Sequence, residues 1–364
     1  MIKPRKLLRG DTVAIVSLSP GLAGEDSILW RTKQGIERLE TVFGLHVKVM
    51  PNALKGIKYV REHPELRASD LNEALQDSDV KAIISCIGGE DAIRILPYVD
   101  FQAIYDNPKI FSGYSDSTTV HMMFYKMGIV SFYGQALLTD FAENIEMDSF
   151  TINDIEKCWF NSSAIGERLP TPYTRPTGLE WKVENKNIAR TKRDNQSYEV
   201  INGADIVSGH LIGGNLETFV SLIDTSIFPE LEQFNHAILF LETSEDTPSP
   251  LEFSKMFNQL LQIGVLDKVE GIVFGKPFNQ IYYEAYKNEI LKIIKKSKNP
   301  NVPILYNLSF GHNEPKHSMP YGLSAKINCY TQQFEIKESA VIDFLNCGNF
   351  FTKKIDNAFN RGVR

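Results

Sequence analysis

No C-x-x-C pair occurs in this sequence. Its four cysteines, Cys86, Cys158, Cys329 and Cys347, are scattered over 364 residues. That spacing argues against a disulfide framework or a thiolate metal cluster, and it fits a reducing, cytoplasmic location. No apolar run is long enough to cross a bilayer. The opening M-I-K-P-R-K-L-L-R-G-D has basic residues but no continuous apolar segment behind them, so no signal peptide is expected. An excess of positive charge is missing as well. The formal net charge of -6 gives no electrostatic case for a nucleic acid polymer or an anionic membrane as partner. Neither G-x-G-x-x-G nor G-x-x-x-x-G-K-[ST] is present, which removes the two commonest phosphate-cradling loops. No nucleotide cofactor and no metal are implied.

What remains is an ordinary globular composition, 43% hydrophobic and 23% charged. At this length one hydrophobic core is unusual and two domains are expected. The pattern places an N-terminal α/β domain at residues 1–165 and a linker with surface excursion at 166–204. A C-terminal domain follows at 205–364.

Alternating strand and helix signals run through the first part. Thr12–Ser19, His46–Met50, Val80–Ile87, Lys109–Ser112 and Ile129–Tyr133 read as strands. Ile28–Thr41, Ala68–Gln76 and Thr118–Met127 have helical spacing, with Ile28, Ile36 and Leu39 pointing inward. The expected fold class is therefore α/β, a mostly parallel sheet covered by helices on both faces. Residues 161–198 change character, being rich in Pro, Thr, Asn, Lys and Arg. Beyond Asp205, L-I-G-G-N at Leu211–Asn215 reads as a loop before a helix. Ala237–Leu241, Gly271–Phe274 and Val302–Leu308 read as strands, with helical spacing at Ser254–Gln262 and Tyr283–Lys296. Two further strand-like stretches, Ser324–Cys329 and Gln333–Lys337, make this a β-rich α+β domain.

Chemistry is concentrated at strand ends. Ser115 follows a short apolar strand and a Gly113-Tyr114 step, and it precedes a helix. That is the setting of a nucleophile elbow, in which a tight turn lifts the hydroxyl out of the sheet beside free helix amides. The match to G-x-S-x-G is incomplete, since Ser117 holds the last position, and Ser115 or Asp116 could equally cap the helix. Gly88-Gly89 ends the Val80–Ile87 strand, where ligands of open α/β sheets bind. The Gly89 amide could stabilise an oxyanion there, or the glycines could simply permit a turn. Of seven histidines, His312 stands out because it closes the apolar Val302–Phe310 stretch. His46, His63, His121, His210, His236 and His317 read as surface, turn or helix-face residues. Glu242 directly follows A-I-L-F-L and is the strand-end carboxylate of the acidic cluster E-T-S-E-D. Trp181, between charged neighbours in the excursion, is either an anchor for a long loop or an aromatic wall over a ligand.

F-S-G-Y-S-D-S-T-T, I-G-G-E-D, G-H-L-I-G-G-N-L-E, L-F-L-E-T-S-E-D and F-G-H-N-E-P together resemble the LD-carboxypeptidase family of serine peptidases, family S66. The resemblance runs from Thr12 to about Ile327. It implies a Ser–Glu–His triad carried by Ser115, Glu242 and His312, with the Gly89 and Asp116 amides as oxyanion donors. It also implies a catalytic cleft between domains and a homodimer. Two substrate classes follow from it. One is a murein tetrapeptide that loses its terminal D-alanine. The other, which the long segment before L-I-G-G-N and its Trp181 favour, is an aminoacyl-nucleotide analogue of the microcin C type. In that branch Trp181 would stack on the nucleobase. Glu245 remains available to shape the substrate site. Lys276, in F-G-K-P just past a strand, is either a solvated lysine or a contributor to carboxylate binding. A non-catalytic small-ligand binding protein is the rival reading from a different class.

Overall fold

The computed structural model describes residues 1–176 and 178–343. The expected C-terminal domain's last residues, 344–364, lie outside the described residues, and Cys347 with them. The other three cysteines are free and buried.

The N-terminal sheet has six strands in the order Met319–Pro320, Phe132–Tyr133, Ile110–Gly113, Val80–Ser85, Thr12–Val16, His46–Val49. The last five are parallel. Met319–Pro320 comes from far along the chain and pairs antiparallel with Phe132–Tyr133. Val80–Ser85 is buried at five of its six positions, as a parallel strand with helices on both faces must be. Helices Leu29–Thr41 and Pro64–Gln76 cover it, with Ile28 and Leu39 buried as their spacing predicts. Ile36 is only partly buried against the core. In sequence order this sheet reads 2-1-3-4-5. The order reverses between Thr12–Val16 and Val80–Ser85, and beyond that switch point a crevice opens at the carboxyl ends of the strands.

The second sheet has eight strands. Four central ones are parallel: Ile206–Asn215, Ala237–Glu242, Gly271–Gly275 and Ile304–Leu308. Ser324–Asn328 and Gln333–Ile336 extend it antiparallel on one side, and Glu199–Asn202 does so on the other. The α/β plus mixed β-rich architecture is the one the sequence predicts. One expectation needs correcting. Leu211–Asn215 is not a loop but the end of a ten-residue strand. A Cβ on Gly213 would stand 1.8 Å from the Phe240 carbonyl oxygen, so the glycines permit close parallel pairing rather than a turn. The excursion also has structure of its own. Gly166–Glu167 joins the edge of the second sheet, and Tyr173–Thr174 pairs with Arg193–Asp194.

Candidate active site

Ser115 is a non-glycine residue held at φ 62°, in the left-handed region. L-residues enter it at a cost of about 1–2 kcal/mol. The strand Ile110–Gly113 ends just before it, a single 3-10 turn spans Ser115–Ser117, and helix Thr118–Lys126 follows. This is a strained strand–turn–helix elbow. It also explains why Ser117 is tolerated where a glycine is usual. Ser117 packs on Gly113, where an added Cβ would stand 2.5 Å from the Ser117 hydroxyl. Thr118 Oγ1 donates to the Ser115 carbonyl at 2.7 Å and closes the turn.

The glycine loop lies against this elbow. A Cβ on Gly88 would stand 2.6 Å from the Ser115 Cβ, and one on Gly89 would stand 2.1 Å from Pro20. Gly89 also sits at φ 153°, so glycine is required there. The buried Asp116 carboxylate fixes the approach. It accepts from Ser19 Oγ at 2.6 Å and from the Ala92 amide at 2.8 Å. Burial raises its pKa, and those two hydrogen bonds oppose the rise. Among the described residues, neither the Gly89 nor the Asp116 N–H donates to another group of the protein.

Two of the four parallel strands of the second sheet end in Asn215 and Glu242, while Lys276 follows the end of the third by one residue and His312 the end of the fourth by four. Their carboxyl ends meet the elbow. The Asn215 amide donates to Thr118 Oγ1 at 3.0 Å. Glu242 is buried and accepts from His312 Nδ1 at 2.7 Å, from the His312 amide at 3.0 Å and from the Tyr133 hydroxyl at 2.5 Å. Tyr133 in turn accepts from the Ser115 amide at 3.0 Å. Glu242 therefore touches the elbow through Tyr133. Tyr133 ends a strand just as Glu242 does, and the same strand-end reasoning applied to it would have found it.

His312 faces two carboxylates. Its Nε2 lies 2.8 Å from Glu245. Burial works against the imidazolium, but the Glu242 charge and the hydrogen bonds to both carboxylates outweigh it and raise the pKa to about 10. Both ring nitrogens are engaged by carboxylate oxygens, and no hydrogen bond joins the ring to Ser115. Ser115 Oγ has no hydrogen-bond partner among the described residues. A raised histidine pKa stabilises the fold fully below the ordinary value of about 6.5. That stabilisation is lost as pH climbs through about 10. Urea unfolding is accordingly expected to show a steeper fall in stability between pH 7 and 10 for the wild type than for His312→Gln. Parallel pH profiles would refute the pairing.

A cleft of about 630 Å³ opens over Ser115, a volume suited to a drug- or nucleotide-sized ligand. Ser115, Gly88, Gly89, Trp181, Glu245, Lys276 and His312 all line it. Lys276 is buried rather than solvated, and desolvation lowers its pKa to about 8. Its ammonium donates to Asn195 Oδ1. Sequence reasoning missed Arg31, Arg190 and Glu314 on the same walls. His317, read as part of a polar turn, is buried. There it bonds Asp154, which also binds Arg168. His121 is buried and neutral, its pKa lowered to about 3 by burial, and bonds Ser131 and the Gly113 carbonyl.

Residues 13–134 match the family model described as the LD-carboxypeptidase N-terminal domain, and residues 208–327 match the one described as its C-terminal domain. The chain is similar to the microcin C7 self-immunity protein MccF of Escherichia coli. Identity is 31% over 277 residues, covering 75% of this chain and 78% of that protein. A MccF-like protein from Streptococcus pneumoniae, solved in complex with AMP, superposes with a TM-score of 0.83 at 32% identity. The match covers 90% of this chain and 99% of the other. MccF in complex with aspartyl sulfamoyl adenosine superposes with a TM-score of 0.80 at 25% identity, covering 94% and 100%. MccF has also been solved as an active-site mutant in which a serine, an asparagine and a lysine are each replaced by alanine.

The last finding corrects the expected Ser115–Glu242–His312 triad. In that relative, serine, asparagine and lysine are the residues marked as active-site groups, not serine, glutamate and histidine. The geometry here agrees with the correction, because the imidazole is held between Glu242 and Glu245 and has no bond to Ser115. Amine and amide groups do surround the cleft in this chain. Lys276 and Asn313 line it, and the Asn215 side-chain amide donates to Glu242 at 3.3 Å.

Proposed function

Since the chain belongs to the LD-carboxypeptidase family of serine peptidases, in its MccF-like branch, we propose that it is a serine hydrolase cleaving the acyl–nitrogen bond between an acidic amino acid and a nucleotide-like group. One observation carries the reading: Ser115 sits in a strained elbow at the floor of a nucleotide-sized cleft. Relatives bound to AMP and to aspartyl sulfamoyl adenosine support the substrate class.

Ser115 Oγ attacks the acyl carbonyl carbon, and the Gly89 and Asp116 amides receive the oxyanion. The carbon–nitrogen bond then breaks, the leaving nitrogen takes the proton that Ser115 gave up, and water splits the Ser115 ester into the free acid and the restored hydroxyl. Lys276, a cation without a carboxylate partner among the described residues, suits an anionic end of the substrate. Glu245 shapes the wall beside His312. We further read the protein as a cytoplasmic homodimer, with domains divided near residues 165 and 205. Among the described residues no helix is long and apolar enough to cross a membrane.

The deciding experiment compares hydrolysis of aspartyl sulfamoyl adenosine with that of an L,D-tetrapeptide ending in D-alanine, using one preparation. The nucleotide analogue is expected to be the better substrate, and a preference for the tetrapeptide would make the murein reading the correct one. Trp181 is assigned to the nucleobase. Stacking on an aromatic ring contributes about 1–3 kcal/mol per base. Trp181→Ala is therefore expected to raise KM for the adenosine compound by about tenfold or more and to leave tetrapeptide turnover alone. Equal losses on both substrates would count against that role.

A further inference from the structure

Trp181 sits in a segment with little regular structure. Lys182, Val183 and Glu184 are exposed, and the only regular element nearby is the short turn Val183–Asn185. A stacking platform needs a fixed plane, because an indole free to rotate must be ordered each time a ligand binds.

The restraint comes from the helix that covers the first sheet. Arg31, on helix Leu29–Thr41, is 2% exposed, and its guanidinium carbon lies 4.4 Å from the Trp181 ring centroid. That is close cation–π contact. The guanidinium is itself immobilised. Its Nε donates to the Leu138 carbonyl at 2.6 Å and its Nη1 to Asn144 Oδ1 at 2.9 Å. The Asn144 amide nitrogen then reaches the tryptophan's own segment, donating to the carbonyls of Asn185 and Ile188 at 3.0 Å each. Arg31 and Asn144 thus grip both the ring and the backbone that carries it. The guanidinium lies over the indole ring, which lines the cleft.

We propose that Arg31, braced by Asn144, is a positioning residue that holds Trp181 as a preorganised nucleobase platform, so that it governs affinity for the base without touching it. The inference rests on the reading that a nucleotide occupies this cleft.

A double-mutant cycle with AMP as probe tests it, read by titration calorimetry on the full chain. Arg31→Met is expected to weaken AMP binding about tenfold, and Trp181→Ala by as much or more. The two together should be no worse than Trp181→Ala alone. If the Arg31→Met loss persists in the Trp181→Ala background, Arg31 acts on the ligand or the fold directly and the proposal is overturned. An unchanged affinity in Arg31→Met overturns it too. Asn144→Ala, which loosens the same grip and leaves the Leu138 bond intact, must show the same dependence on Trp181 and guards against a poorly folded Arg31 variant. If Trp181→Ala itself leaves AMP affinity unchanged, the platform reading fails first, an outcome distinct from a failure at Arg31 alone.

Discussion

Ser115→Ala is expected to lower hydrolysis of aspartyl sulfamoyl adenosine by at least about a thousandfold, the scale on which a lost serine nucleophile acts. Among the described residues lining the cleft, no other hydroxyl-bearing residue is held in the left-handed region. The variant should still fold, because the elbow is held by Thr118, Tyr133 and Asp116 rather than by the Ser115 hydroxyl. A second variant sharpens the test. Ser115→Gly removes the same hydroxyl and also relieves the left-handed strain. It should be inactive yet more stable by about 1 kcal/mol. A rate within tenfold of wild type in either variant would show that the hydroxyl is not the nucleophile. A Ser115→Gly protein less stable than Ser115→Ala would show that the φ of 62° is not a strained position.

Glu242→Ala is expected to cost about 3–5 kcal/mol of stability, the usual loss when one partner of a buried ion pair is removed. The loss is large because three other residues converge on that carboxylate. The His312 ring would keep Glu245 alone, and its own amide would lose its acceptor. The Tyr133 hydroxyl would lose its acceptor as well, and the Asn215 side-chain amide would keep only Glu217. The site also cannot close around the gap. Glu242 packs against Gly311, where even a Cβ would stand 2.4 Å from the Glu242 Cγ. Urea unfolding at neutral pH reads the effect. Glu242→Gln, which keeps an acceptor of the same shape, should lose less than Glu242→Ala. A loss below about 1 kcal/mol in the alanine variant would mean that Glu242 is not the electrostatic centre of this cluster.

These two residues illustrate how unevenly the site could be read from sequence. Ser115 was legible because an elbow is local: a short apolar strand, a Gly-x step and a helix within fifteen residues. Glu242, Lys276 and His312 were legible as strand ends for the same reason. Tyr133 obeyed that rule and was passed over, since a tyrosine closing an apolar run also reads as core. Arg31 carried no signal at all. It is an arginine on an amphipathic helix, where a solvated face is the default, and only the packing of Leu138, Asn144 and Trp181 around it gives it a role. The glycines of L-I-G-G-N were read as part of a loop. Gly213 is required instead by the Phe240 carbonyl of a neighbouring strand, twenty-seven positions away, and Gly214 by Thr118 and Tyr321.

From the sequence alone followed the alternation of strands and helices, the parallel first sheet, the elbow at Ser115 and the polar residues at the strand ends. All of these depend on periodicity and turn chemistry over a few neighbouring residues. The tertiary structure decided which of those residues meet and in what charge state. It set His312 between Glu242 and Glu245, routed Glu242 to the elbow through Tyr133, and placed Trp181 on Arg31. Protonation and pairing depend on burial and on charges contributed by segments far apart in the chain, so they exist only once the two sheets have met.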